Sequence, residues 1–198
     1  MLYALISDIH ANLQALDAVL ADMDRRGITA IYHLGDLAGY SSSPNEVVDR
    51  LRERGIPGIS GNYDSTVAND YKHCGCRSES PRQEELSHIS YEWTRAHVLA
   101  ATKDFLGNLP FRIDLRPLGG HVAGVHFINT GSVGRPKDGD WRAGYVLLEV
   151  SEAAVNAEII RVEYDVDLAA RSVIESGLPE EFAEFLRSGG RTMEVTSS

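Results

Sequence analysis

Three short apolar runs each end in residues able to hold a metal ion. Leu2 to Ile6 leads into Ser7-Asp8-Ile9-His10, Ile31 to Leu34 into Gly35-Asp36, and Ile56 to Ser60 into Gly61-Asn62-Tyr63-Asp64. Carboxylate and carboxamide oxygens with an imidazole nitrogen form a mixed set suited to Mn²⁺, Fe or Zn²⁺. At a strand end the backbone turns, so both Asp8 and His10 can reach one ion. Asp36 has two oxygens and can bridge two ions, and Asn62 adds a neutral oxygen. Two ions roughly 3.5–4 Å apart clamp a phosphoryl group and activate water. Each residue alone reads equally well as a cap or turn residue. Three successive strand ends closing in this way argue for one shared site.

Such a site needs strands that converge, and the intervening sequence supplies the helices between them. Leu13, Leu16, Val19, Leu20 and Met23 recur at helical spacing and Gly27 ends the helix. Ser43-Pro44-Asn45-Glu46 reads as a capping box, with Val47, Val48 and Leu51 as the buried stripe up to Gly55. The order β-α-β-α-β implies a parallel sheet with its crevice at the strands' carboxyl ends. Residues 65–79 read as irregular. Ser80-Pro81-Arg82-Gln83 starts a long helix carrying Leu86, Ile89, Trp93 and Ala96, and a shorter one with Phe105, Leu106 and Leu109 stops at Pro110. Phe111 to Leu115, Val125 to Asn129, Tyr145 to Val150 and Val155 to Tyr164 read as strands, with turns at Gly119-Gly120 and Gly131 to Gly134. Two closing helices follow, from Asp165 and from Pro179. One domain over 1–190 and a loose tail over 191–198 are expected.

Composition narrows the function. The 198 residues are 43% hydrophobic and 24% charged, with a formal net charge of −10. That balance opposes a general nucleic-acid or membrane-surface binder, although bound metal can still attract phosphate. No apolar run approaches a membrane span of about 20 residues, and no secretory leader is visible, so a cytoplasmic protein is expected. Cys74 and Cys76 are read as free cytosolic thiols; a redox effect on a nearby site and a zinc site with His73 are the alternatives.

The motifs Asp8-x-His10, Gly35-Asp36 and Gly61-Asn62-x-Asp64 resemble the first three of the calcineurin-like metallophosphoesterases, most closely the small bacterial and archaeal phosphodiesterases. Asn129 to Gly134 with Pro136 to Asp140 is similar to the late glycine-serine loop of that superfamily, and Asp165 and Gly177-Leu178-Pro179 to its C-terminal helices. The resemblance implies a four-layer α/β sandwich around two central sheets and in-line attack of metal-bound hydroxide on a phosphoester. It implies that Asp8 and His10 hold one metal, Asp36 bridges, and Asn62 holds a second metal and contacts phosphate. Asp64 would orient the residue before it.

The sequence departs from that pattern twice. Tyr63 stands where the family usually has a histidine as acid for the leaving group. A phenol of reference pKa about 10 transfers protons poorly near neutrality but can donate a hydrogen bond to phosphate. Tyrosine or cysteine there is also part of the resemblance; a packed rim aromatic is the structural alternative. The second departure follows Arg116. A strand-helix-strand unit bearing three more metal-binding histidines has no recognisable counterpart, which would shorten the second sheet and leave the second metal site incomplete. A segment missing from this sequence, a natural deletion, or substitution by local histidines would each account for it. Gly120-His121 is the nearest echo; His126 reads as a strand residue and His33 as a satisfied core histidine.

These readings predict a two-metal phosphodiesterase or phosphatase for a small-molecule phosphoester, with Asp8, His10, Asp36 and Asn62 on metal and Asn62, Tyr63 and Asp64 in catalysis. The alternative is a catalytically weak or inactive protein of the same fold, binding one metal or a phosphate ligand in a regulatory role. A homo-oligomer completing its site from a neighbour remains compatible. Arg135, Lys137 and Arg142 could meet an anionic substrate or form a solvated loop.

Overall fold

The computed structural model describes residues 1–74, 80–115, 126–152 and 154–191. Strand β1 (Leu2–Ile6) lies inside a four-stranded mixed sheet, between β2 (Ile31–His33) and β3 (Ala143–Val150), with β4 (Val155–Val162) outermost. β1 runs parallel to β2, with Ala4 opposite Ile31, and antiparallel to β3, with Leu5 opposite Val146. β3 and β4 form an antiparallel pair from Ala143–Val162 to Val150–Val155.

Helix α1 (Leu13–Arg25) buries Leu16, Val19, Leu20 and Met23, the stripe that the spacing predicts. Asn12 caps it, its side chain accepting from Ala15 N at 3.1 Å. Helix α2 (Pro44–Glu53) buries Val47, Val48 and Leu51, although Ser43 makes no side-chain cap bond. The parallel crossovers therefore form as expected.

Helix α3 (Asn62–Ala68) was not visible in the sequence pattern. It has only seven residues, too few for a period to show, and Asp64 caps it by accepting from Gly61 N at 3.0 Å. The long helix α4 (Pro81–His97) starts where expected, with Ser80 Oγ accepting from Gln83 N at 3.3 Å. Helices α5 (Ala100–Gly107), α6 (Val166–Glu175) and α7 (Glu180–Ser188) complete the chain. Ala169, Ala170, Val173, Phe182, Ala183 and Leu186 bring α6 and α7 into the main core.

The expected third strand is reduced to one parallel bridge between His33 and Gly58. His33 N donates to Pro57 O and Ile59 N to His33 O, both at 3.0 Å. Pro57 has no N–H, so the ladder cannot extend through it. Among the described residues there is one sheet. Phe111 to Leu115 and the described part of the 125–129 run are not strands, His126 is exposed, and Phe111 and Phe127 are 91% and 96% exposed. Among the described residues they have no neighbouring strand and so no ladder to join. The 116–125 segment, with the Gly119-Gly120 turn and His121, lies outside the described residues, as do Cys76 and the expected tail beyond Arg191.

His33 also departs from expectation. It is fully buried, and neither ring nitrogen has a hydrogen-bond partner. A Cβ at position 58 would enter its ring, so Gly58 provides the space that the imidazole occupies. Burial pushes the His33 pKa down to about 4.

Candidate metal centre

The turn after β1 brings Asp8 and His10 to one side by an unusual backbone route. Asp8, His10, Ala11 and, on the neighbouring loop, Asp36 all have φ between 47° and 55°. Non-glycine residues rarely adopt this left-handed region, and such strain concentrates at functional sites. It is held by cross-loop bonds: Asp8 N donates to Gly35 O at 3.2 Å, His10 N to Asp36 O at 2.9 Å and Ala11 N to Leu37 O at 2.7 Å.

Ligand atoms of Asp8, His10 and Asp36 lie within 4.8 Å of one another, the group among the described residues that fits a metal ion. His10 Nδ1 lies 3.0 Å from Ala38 O, a contact that needs the proton on Nδ1. The other ring nitrogen, Nε2, lies 3.4 Å from Asp8 Oδ1 and is the one available to a metal. A second partner fixing the tautomer in this way is typical of a metal-binding histidine. Two carboxylates and one oriented imidazole therefore fit one divalent ion.

Charge is balanced unequally in this group. Burial pushes the Asp8 carboxyl up, but His10, the Ser7 hydroxyl at 2.7 Å and the charge of Lys137 outweigh it and hold the pKa below the usual value. Asp36 is pushed above the usual value by burial and by Asp8, against His10, Lys137 and the Tyr63 N–H bonded to its Oδ1 at 2.9 Å. A cation would favour the ionised form of both.

The second half of the expected site is arranged differently. Asn62 begins α3, is exposed, and donates from Nδ2 to Cys74 O at 2.9 Å. The N–H of the next residue bonds to Asp36, which keeps Asn62 one residue from the Asp8-His10-Asp36 group. Tyr63 is fully buried: its hydroxyl lies 2.7 Å from Ser90 Oγ, and its ring packs against Tyr40 and Tyr91. Burial pushes its pKa well above that of a free phenol. This hydroxyl faces core partners, the packed arrangement that the sequence left open beside a donor to phosphate.

Asp64 is also fully buried and touches no open surface. Its two oxygens accept from Leu37 N at 2.8 Å and Gly61 N at 3.0 Å. It ties the loop after β2 to the loop before α3, and so positions Asp36. Burial raises its pKa to about 6, against the N–H groups of Gly61, Leu37 and Ala38. The two loops meet backbone to backbone: a Cβ on Gly35 would overlap Gly61, and a Cβ on Gly61 would overlap Asp36.

The glycine-serine loop forms a further wall. Val133 N donates to Ser7 O at 2.9 Å, Gly134 N to Asp8 O at 3.0 Å and Ser132 Oγ to Asp8 O at 2.9 Å. Asn12 Nδ2 donates to Gly134 O at 3.0 Å. Arg142 pairs with Asp140 at 2.7 Å and so faces its own loop. Cys74 is disulfide-bonded, which corrects the free-thiol reading, and its Sγ lies 3.1 Å from Ser87 Oγ.

A family model for the calcineurin-like phosphoesterase superfamily domain matches residues 1–108, more than half of the chain. The chain belongs to the calcineurin-like phosphoesterase superfamily. It is 28% identical to the uncharacterized protein MJ0912 of Methanocaldococcus jannaschii, over 94% of this chain and 97% of that protein. That alignment spans 245 positions against 198 residues here, so the archaeal protein carries residues without a counterpart in this chain. Among solved structures, a metallophosphoesterase from Sphaerobacter thermophilus is 26% identical with a TM-score of 0.73, covering 96% of this chain and 100% of that one. The hypothetical protein PH1004 from Pyrococcus horikoshii OT3 has a TM-score of 0.75 at 20% identity, over 97% and 99% of the two chains, a likeness of fold. The metallophosphoesterase fold expected from the motifs is thus the fold of this chain. Among the described residues no helix is long and apolar enough to cross a membrane.

Proposed function

We propose that this protein is a metal-dependent phosphoesterase acting on a small-molecule phosphoester in the cytoplasm. The observation that carries the reading is the convergence of Asp8, His10 and Asp36 ligand atoms within 4.8 Å, with the imidazole already oriented by Ala38. Divalent ions bound there, Mn²⁺, Fe or Zn²⁺, would supply positive charge for phosphoryl oxygens and activation of water.

The chain's own residues prepare for that chemistry. Asp8 and Asp36 hold negative charge where a cation must sit. Asp64 and the paired glycines 35 and 61 set the spacing of the two loops. Asn62, at the exposed start of α3, is the candidate to meet phosphate and a second ion, with its carboxamide here donating to Cys74 O. The test is hydrolysis of bis(4-nitrophenyl) phosphate with Mn²⁺. Asp36→Asn should lower turnover at least about 100-fold, the scale of losing one strong electrostatic contact in the transition state. Full turnover by that variant would refute the mechanism.

A second reading has its own support. The Asn62 carboxamide is engaged with Cys74, and Asp8, His10 and Asp36 are the one metal-fitting group among the described residues. A protein binding one ion and acting as a phosphate-responsive regulator fits these facts. Metal analysis separates the two, since two tightly held ions per chain support the esterase and one supports the regulator.

A further inference from the structure

Arg135 follows directly on the loop that seals Asp8. Its N–H donates to Ser132 Oγ at 2.7 Å, and that same hydroxyl donates to Asp8 O at 2.9 Å. The guanidinium lies 3.9 Å from the ring centroid of Tyr40 and 4.0 Å from that of Phe185 on α7. Tyr40 in turn sets its ring edge-on to His10, at 5.0 Å between centroids. The guanidinium is therefore one aromatic ring away from the metal-binding imidazole.

Three features separate this arginine from a solvated loop residue. It is half-buried and held by two rings, so little side-chain freedom remains to be lost on binding a ligand. Stacking occupies the planar faces of a guanidinium, while its N–H donors point out from the edge. Among the described residues no carboxylate pairs with it and no acceptor takes its side-chain donors, whereas Arg142 and Arg161 nearby are paired with Asp140 and Asp138. Burial disfavours its charge, so an anion at its edge would be a net gain.

We propose that Arg135 is a substrate-binding residue that grips a second anionic group, next to the phosphoryl group at the metal centre. Its preferred substrates are thus phosphoesters bearing a further phosphate or carboxylate close to the reacting phosphorus, ahead of esters with a single anionic group. A residue one ring removed from His10 is too far to replace a metal ligand and well placed for the neighbouring group. This assignment rests on the metal-dependent phosphoesterase reading.

The test is calorimetric binding of methyl phosphate and phosphoglycolate, which differ by one carboxylate, to the Mn²⁺-loaded protein. The wild type should prefer phosphoglycolate. Arg135→Gln should cut that preference about tenfold or more, the scale of one charge-assisted hydrogen bond, and Arg135→Lys should keep part of it. Metal stoichiometry should stay constant. Equal loss of both ligands would mark a structural role and overturn the assignment, as would an undiminished preference. If Arg135→Gln fails to fold, Arg135→Lys carries the test by the same ratio. A wild type that binds both ligands without preference overturns the assignment alone. One that binds neither ligand overturns the phosphoesterase reading as well.

Discussion

Replacing His33 by leucine should stabilise the protein in acid. The ring is fully buried with both nitrogens unpartnered, so protonating it places a charge where nothing can solvate it. Its pKa falls from 6.5 to about 4 on folding. The unfolded chain therefore takes up a proton between these values and the folded chain does not. Stability from this residue is complete above pH 6.5 and is lost as pH falls towards 4. At about 1.4 kcal/mol per unit, the full loss is about 3 kcal/mol, of which about 2 kcal/mol has gone by pH 5. Leucine has a similar volume and no polar atom, so it removes the titration and the orphaned nitrogens together. Urea unfolding of both proteins at pH 7.5 and pH 5 measures the difference. The variant should match or exceed the wild type at pH 7.5 and lose about 2 kcal/mol less between the two. Parallel losses would show that the ring finds a partner in solution and would refute the argument.

Two further outcomes follow from the metal centre. Gly61→Ala should destabilise the protein by about 1–3 kcal/mol and weaken Mn²⁺ binding, because its Cβ would meet the Asp36 carboxylate and backbone N; thermal melts with and without metal report both effects. Saturating Mn²⁺ should raise the melting temperature of the wild type and chelation should reverse it, since a ligand at 100 times its Kd adds about 2.7 kcal/mol. A melting temperature indifferent to both treatments would count against an ion at Asp8, His10 and Asp36.

The first sixty residues were the most legible part of the chain. Apolar periods set α1 and α2, and repeated acid-bearing strand ends announced Asp8, His10 and Asp36 before any fold was known. Positions that depend on tertiary placement were not legible. Tyr63 and Asp64 lie in a functional motif, yet packing turned both inward, one to Ser90 and one to two backbone amides. α3 was missed because seven residues carry no period. Phe111 to Leu115 has strand composition, but a strand also needs a neighbour, which local sequence cannot supply. The stacking of Arg135 on Tyr40 and Phe185 joins residues 95 and 50 positions apart. No spacing rule reaches that far. The positive φ angles at Asp8 and His10 likewise arise from bonds to a second loop.

The interior position of β1 bears on how this protein is made. Every candidate metal ligand has been synthesised by residue 62, and the match to the family model ends at residue 108. Yet one edge of β1 is paired only by β3, which begins at Ala143. Until that strand arrives, Leu2 to Ile6 is an apolar strand with an open edge, the kind of template on which chains aggregate. A nascent or truncated chain would hold the acids and the histidine without the loop that seals them. Expression of the N-terminal half alone should therefore give insoluble material, and loading with metal belongs after synthesis of the second half.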